Sequence, residues 1–239
     1  MRTSDSASDV LRCVHFLTNG MLFTTDRPVG GMTELELPES HPRYESLLTR
    51  HRIEAGVDLG ITSRQGLIAQ GRGEAFDYLL GERTLDSADR AERAAAAHLL
   101  RAEHAVLSVN GNVAALAPTE MVELAKATGA SLEVNLFNRT ETRMEAIVDH
   151  LRDHGADEVL GLKADGRIPD IDHERAKIDA DGIGAADVPI VDNLVRAVPN
   201  VTEHACDLRK ASRSELDAII DSFDAEAALA DAEDAIRSA

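Results

Sequence analysis

The residues best suited to bind an anionic ligand are arginines in the first third of the chain. Arg43 and Arg50 are seven residues apart, about two helical turns, so they share one face of a helix. A guanidinium binds two phosphate or carboxylate oxygens at once. The pattern predicts an anion site, and ion pairs with the abundant carboxylates are the alternative. Two further arginines belong to the same cluster, Arg52 and Arg64.

A second candidate is the segment Gly71-Arg72-Gly73. Glycine adopts positive φ and lets a ligand approach the backbone closely, and the arginine between the two glycines is suited to bind an anion. The segment therefore predicts a ligand-binding turn. A turn with an ordinary surface arginine has the same pattern.

Polar residues follow two of the predicted strands. Asn110-Gly111-Asn112 follows the apolar run Ala105–Val109, and Asn138-Arg139 follows a run at 132–137. Open α/β sheets bind ligands at the carboxyl ends of their strands, so the two loops predict a substrate site. An Asn-Gly turn that only joins strand to helix is the alternative. The first loop has one glycine instead of the three of the dinucleotide fingerprint, which argues against a nicotinamide enzyme.

The elements that position these residues alternate along the chain. Predicted strands at 105–109, 132–137 and 158–162 are separated by helices at 118–129 and 139–154. Such alternation predicts an α/β fold with a Rossmann-like parallel sheet and right-handed crossovers.

This pattern divides the chain into four parts. Residues 1–31 are expected to be an unstructured extension, and 32–104 an N-terminal helical region. Residues 105–205 form the predicted Rossmann-like core, and 206–239 an acidic tail of one or two helices.

The composition predicts a salt-adapted surface. Acidic residues number 43 against 25 basic ones, the net charge is −18 at pH 7, and only four of the basic residues are lysines. Such a surface repels itself at low ionic strength and is screened in concentrated salt, as in a salt-in halophile. It also disfavours binding to nucleic acid or to anionic membranes.

Cysteine and hydropathy patterns favour a cytoplasmic protein. Cys13 and Cys206 lie far apart and form no Cys-x-x-Cys pair, so neither a zinc site nor a disulfide framework is predicted. The histidines show no metal-ligand spacing, and no metal ligand is assigned. No apolar run approaches the roughly 20 residues that span a bilayer, so no membrane partner is expected.

Four blocks in order carry a resemblance that covers about residues 32–200. They are SHPRYESLL at 40–48, GLIAQGRGEAFDYL at 66–79, SVNGN at 108–112 and NLFNRT at 135–140. Together they resemble the archaeal phosphopantothenate synthetases, also called 4-phosphopantoate–β-alanine ligases.

The resemblance implies a homodimer with a Rossmann-like core. It implies that 4-phosphopantoate and β-alanine are joined with ATP and Mg²⁺, through an acyl-adenylate, to give 4′-phosphopantothenate, AMP and diphosphate for coenzyme A biosynthesis. No side-chain nucleophile is required, and none is assigned. By motif, the ATP contacts are Arg50, Arg72, Asp192 and Asn193. The expected substrate contacts are Arg43, Gly71, Gly73, Asn110, Gly111, Asn112, Asn138 and Arg139.

One family block has no counterpart in this sequence. Between Asp187 and Asp192 the family has a further strand and helix that lead to an Asp-Leu-Asn-Pro-Leu-Ser-Arg-Thr motif in contact with ATP, whereas here Val188 runs directly into Pro189. We hypothesise an internal deletion. The alternative to an active ligase is then an impaired or non-catalytic phosphopantoate-binding homologue that lacks part of the ATP site.

Overall fold

The computed structural model describes residues 38, 40–81, 83–190 and 197–238. The predicted extension at 1–31 and two predicted ATP contacts, Asp192 and Asn193, lie outside these ranges. None of the helices described is long and apolar enough to cross a membrane.

Helices make up most of the described structure. They are α1 (Tyr44–Asp58), α2 (Arg64–Leu80), α3 (Asp86–Arg101), α4 (Gly111–Leu116), α5 (Pro118–Thr128), α6 (Glu141–Asp153), α7 (Val198–Leu208), α8 (Arg213–Ser222) and α9 (Ala225–Ser238). The strands are β1 (Ala105–Val109), β2 (Ser131–Val134), β3 (Val159–Leu160), β4 (Gly166–Arg167), β5 (Lys177–Ile178) and β6 (Val188–Ile190).

Four strands form one parallel sheet in the order β3-β2-β1-β6. The prediction of a mixed α/β fold with a parallel sheet is confirmed. Every residue of β1 is buried, as expected for a strand with a neighbour on each side in a parallel sheet. Strands β4 and β5 form a separate antiparallel pair.

Local signals set the ends of the crossover helices. Helix α5 begins with Pro118. Proline has no backbone N–H, and in the first turn of a helix that N–H would have no partner within the helix. The helix ends at Gly129, which has a φ of 75°. The side chain of Thr140 caps α6 by accepting from the backbone N–H of Arg143.

The prediction of a turn at Gly71-Arg72-Gly73 is wrong. Helix α2 runs through these residues without a break, and neither glycine has positive φ. The unfavourable helix propensity of a glycine is only about 1 kcal/mol, which the hydrogen bonds and packing of a 17-residue helix overcome.

Helix α3 is the centre of the helical packing, because α7, α8 and α9 all contact it. Its alanines are small enough for close helix contacts, and Ala88, Ala91 and Ala95 are almost completely buried. Helix α8 has a capping box in which Ser212 and Glu215 each bond the backbone N–H of the other. The two helices of the tail therefore pack on the N-terminal helical region.

A buried carboxylate joins β2 to the loop that precedes β6. Glu133 is fully buried, and its Oε1 and Oε2 accept the backbone N–H groups of Asp179 at 2.9 Å and Ile183 at 2.6 Å. Burial raises the pKa of Glu133, whereas the two backbone hydrogen bonds lower it in part. Gly182 leaves the room this contact needs, since a Cβ there would lie 2.1 Å from Oε2.

We expect Glu133→Gln to lower the free energy of unfolding by about 1–3 kcal/mol, because the new amide NH₂ would face a backbone N–H and leave it unsatisfied. Urea unfolding in molar KCl measures the change. Glu123→Gln, at an exposed position of α5, is the control and should change stability by no more than about 0.5 kcal/mol. Equal stability of the two variants would contradict the anchoring role of Glu133.

Candidate active site at the carboxyl edge of the sheet

The parallel register brings the two predicted strand-end loops to one edge. Val109 pairs with Val134 at the ends of β1 and β2, and the N–H of Asn135 donates to the carbonyl of Val109 at 3.0 Å. On the other side of β1, Leu107 pairs with Ile190 at the end of β6. The carboxyl ends of β1, β2 and β6 therefore lie at one edge of the sheet, which is where open α/β sheets bind ligands.

Asn110 and Gly111 have structural roles at this edge. Asn110 caps α4, since its Oδ1 accepts the N–H groups of Asn112 at 2.8 Å and Val113 at 3.0 Å. A Cβ on Gly111 would lie 2.5 Å from the carbonyl oxygen of Ile61. Only glycine therefore lets the turn between α1 and α2 pack on the start of α4.

Asn112 fixes the beginning of α2. Its Nδ2 donates to the carbonyl of Gly66 at 3.0 Å, and its Oδ1 accepts from the Thr62 hydroxyl at 2.5 Å. A Cβ on Gly66 would lie 2.2 Å from that Oδ1. The block at 66–79 and the block at 108–112, which lie far apart in sequence, are thus in direct contact.

Arg143 was not among the predicted site residues, yet it joins three segments. Its Nη1 donates to the carbonyl of Asn138 at 2.7 Å and its Nη2 to that of Ile61 at 3.3 Å, while a Cβ on Gly111 would lie 3.2 Å from Nη2. Burial lowers the pKa of Arg143. A cation in the first turn of a helix is disfavoured by the helix dipole, and that unusual position is the sequence signal that could have identified it.

Arg139 lies on the wall of a cleft of about 380 Å³ beyond β2 and β3. Its Nη2 donates to the carbonyls of Gly161 and, at 3.4 Å, of Leu162. Because a guanidinium has five N–H groups, further donors remain available for a ligand. Lys177, also on the wall, pairs with Glu174 at 2.8 Å. The wall of the cleft thus carries two cations, Arg139 and Lys177, and three carboxylates, Glu141, Glu145 and Glu174.

Asn135 and Phe137 complete the end of β2. The Asn135 side chain is buried and donates to the carbonyls of Arg175 at 3.1 Å and Lys177 at 3.2 Å, which holds the chain around the start of β5 at the end of β2. The Phe137 ring is 64% exposed and lies 4.3 Å from the ring of His173. An exposed aromatic ring two residues before Arg139 is suited to contact the apolar part of a substrate.

The predicted arginines of the first third lie on the helical hairpin of α1 and α2. Arg43 pairs with Glu74 at 2.5 Å, and Arg50 pairs with Glu54 at 3.8 Å. Burial alone would raise the pKa of Glu74, but hydrogen bonds from Ser46 and Arg43 bring it below its usual value. Ion pairing, the alternative that the sequence left open, is therefore seen for both arginines.

Arg72 and Gly71 are exposed on α2. Arg72 is six residues beyond Gly66, so it lies about 9 Å further along the helix from the contact with Asn112. The structure thus separates two groups of predicted site residues. Arginines line the hairpin, and the asparagines and Arg139 lie at the sheet edge.

A parallel sheet with Arg139, Arg143 and polar loops at its carboxyl edge defines an α/β protein with a candidate site at that edge. The family model described as "Phosphopantothenate/pantothenate synthetase" matches residues 87–189 and 184–239. The chain belongs to this family.

Relatives named 4-phosphopantoate–β-alanine ligase are similar over most of their length. The protein of Thermococcus onnurineus is 46% identical over 229 residues, covering 80% of this chain and 88% of the relative. That of Methanosarcina mazei is 45% identical over 235 residues, covering 82% and 92%. That of Methanospirillum hungatei is 52% identical over 155 residues, covering 65% and 63%.

The same comparisons show a gap in this chain. Of the 229 positions aligned with the Thermococcus onnurineus protein, about 191 fall in this chain, which is 80% of 239 residues, so about 38 have no counterpart here. The family match is also split in two at residues 184–189. This is the region in which the sequence lacks a family block.

We expect Arg143→Met to lower the free energy of unfolding by about 1.5–3 kcal/mol, because two carbonyls lose a charged donor at a partly buried junction. Thermal and urea unfolding measure the loss. Arg152→Met on the same helix is the control. In the described part of the chain Arg152 makes an exposed pair with Asp149 at 3.4 Å, so its replacement should cost at most about 1 kcal/mol. Equal losses in both variants would contradict the junction.

Proposed function

We propose that this chain is an ATP-dependent ligase that joins 4-phosphopantoate to β-alanine, forming 4′-phosphopantothenate in coenzyme A biosynthesis. The observation that carries the proposal is the family membership, with relatives of that name aligned over most of both chains. The described site agrees with it, because cations and polar loops lie at one edge of a parallel sheet.

The proposed reaction has two steps. The carboxylate of 4-phosphopantoate attacks the α-phosphate of ATP, forming an acyl-adenylate and releasing diphosphate. The amine of β-alanine then attacks the acyl carbon, forming the amide and releasing AMP. The protein mainly holds charged oxygens in place and stabilises developing negative charge, for which fixed guanidinium and N–H donors are suited.

We assign Arg50 and Arg72 of the hairpin, with Asp192 and Asn193, to ATP. The Mg²⁺ that accompanies ATP neutralises phosphate charge, and we assign it no protein ligand. Arg43, Gly71 and Gly73 remain proposed substrate contacts on the hairpin.

At the sheet edge, we propose that 4-phosphopantoate occupies the cleft beside Arg139. Its phosphate would meet the remaining guanidinium donors, and its apolar carbons would meet Phe137. Asn110, Gly111, Asn112 and Asn138 then act by shaping the loops around the substrate. The strand order β3-β2-β1-β6 supports a Rossmann-like core for this site.

We also propose that the chain acts as a homodimer through α2. Ile68 is 66% exposed and Leu79 46%, and with Ala75 they recur at helical spacing on one face of the helix. Tyr78, 47% exposed, adds to this apolar surface. A face of this kind on a highly charged protein is typical of a contact between subunits.

A second candidate is a phosphopantoate-binding homologue that has lost part of its ATP site. The gap of about 38 aligned positions near residues 184–189 favours it. Calorimetry separates the two functions, because the ligase binds both ATP and 4-phosphopantoate and the second candidate binds only the latter.

The ligase is tested by release of AMP and diphosphate in molar KCl. We expect release that requires both 4-phosphopantoate and β-alanine, with 4′-phosphopantothenate as the product. ATP cleavage that continues when either substrate is omitted would reject the proposal.

We expect Arg72→Ala to weaken ATP binding about tenfold or more, since a charged hydrogen bond contributes about 1.5–3 kcal/mol. Titration calorimetry gives the affinity. Arg90→Ala, which removes an exposed arginine that pairs with Asp231 on α9, should leave ATP binding unchanged. Unchanged affinity in Arg72→Ala would remove Arg72 from the site.

Gly71→Ala should separate stability from function. Among the described residues, no atom outside the local helix lies within 4 Å of a Cβ at Gly71, so alanine should stabilise α2 by up to about 1 kcal/mol. If a ligand approaches the backbone there, KM for that ligand rises in the same variant. Gly66→Ala is the contrasting variant and should lower stability, because its Cβ would clash with Asn112. A stabilised Gly71→Ala variant with unchanged KM for all three substrates would remove Gly71 from the site.

A further inference from the structure

Four polar side chains face one another between α3 and α7, which pack closely against each other. Asp89 and Glu92 are three residues apart on α3, and Asn200 and His204 are four apart on α7. These spacings put each pair on one face of its helix. None of the four was assigned a role by the sequence patterns or by the proposed ligase reaction.

The side chains come together at distances suited to a shared ligand. One ligand atom each of Asp89, Glu92 and His204 lies within 4.8 Å of the others. His204 Nε2 and Asp89 Oδ1 are 2.9 Å apart. Asn200 Nδ2 donates to Glu92 Oε2 at 2.8 Å and so orients the Glu92 carboxyl group.

The hydrogen bonding of the Glu92 side chain is incomplete among the described residues. Its side chain is fully buried, and its Oε1 has no hydrogen-bond partner among the described residues. A buried acidic side chain is either protonated or is paired, hydrogen-bonded or bound to a metal. An acidic side chain on the surface would be hydrated by water. The burial of Glu92 beside His204 and Asp89 therefore points to a bound cation.

We infer that Asp89, Glu92 and His204 form a binding site for a divalent transition-metal ion, with Zn²⁺ as the best match. Imidazole and carboxylate are ligands that Zn²⁺ accepts, at about 2.0–2.2 Å, and sites with three protein ligands are completed by water. Asn200 acts as the outer partner that fixes a ligating carboxylate. The ligand atoms lie 2.9 Å apart for His204 Nε2 and Asp89 Oδ1 and within 4.8 Å of one another for all three residues, so the side chains must rotate to place them around an ion.

The site would clamp α7 onto α3. Helix α7 begins at Val198, five residues after Asn193, so the ion would hold the helix that follows the proposed ATP contacts. This inference does not depend on the ligase activity, because a metal can bind here whether or not ATP does.

The test uses the full chain, stripped of metal with a chelator and kept in molar KCl. We expect one equivalent of Zn²⁺ to bind saturably and to raise the unfolding temperature. Co²⁺ should bind in its place and show visible absorption of a nitrogen- and oxygen-ligated ion. Glu92→Gln and His204→Gln should each weaken Zn²⁺ binding at least tenfold, since even loss of an outer partner costs 10- to 100-fold.

Glu203→Gln is the matched control, because Glu203 is exposed next to His204 on α7 and its loss removes the same charge. It should bind Zn²⁺ like the unmodified chain. Absence of saturable Zn²⁺ binding, or binding that Glu92→Gln and His204→Gln leave unchanged, would overturn the site. Circular dichroism checks the fold, and if Glu92→Gln does not fold, the half-buried His204→Gln decides the outcome.

Discussion

The close packing of the α1–α2 turn on the end of β1 is the contact on which the rest of the site depends. Gly111 has no side chain, so the carbonyl of Ile61 can approach the start of α4, where a Cβ would lie only 2.5 Å from it. Arg143 then binds that carbonyl and the carbonyl of Asn138 with one guanidinium. These contacts join the arginine-bearing hairpin to the two strand-end loops.

This arrangement explains why several polar residues at the edge face the protein and not solvent. Asn110 caps a helix, Asn112 holds Gly66 and Thr62, and Asn135 holds the segment before β5. Side chains with fixed hydrogen bonds keep a single rotamer, which is what a site needs if it is to position charged substrates. The donors most available to a ligand are then the guanidinium groups of Arg139 and Arg72.

Carboxylates in this chain serve two different physical purposes. Most are exposed and give the surface its charge of −18. Glu133 and Glu92 are fully buried and must be satisfied inside the protein. Glu133 has two backbone N–H donors, whereas Glu92 has one amide donor and lies beside Asp89 and His204. Because their environments differ in this way, we interpret Glu133 as a structural anchor and Glu92 as a metal ligand.

Family, fold class and the position of the strand-end loops could be predicted from the sequence by itself. Hydrophobic periodicity and helix-ending residues such as Gly129 act over a few neighbouring residues, so they can be recognised in the sequence. The four motif blocks can also be recognised there, because they occur in a fixed order along the chain. The conformation of Gly71-Arg72-Gly73 could not be read in this way, because a continuous helix overrides the preference of isolated glycines. Nor could the roles of Arg143 and Glu92. Both depend on partners 82 and 108 residues away, and only the tertiary structure decides which distant groups a buried side chain meets.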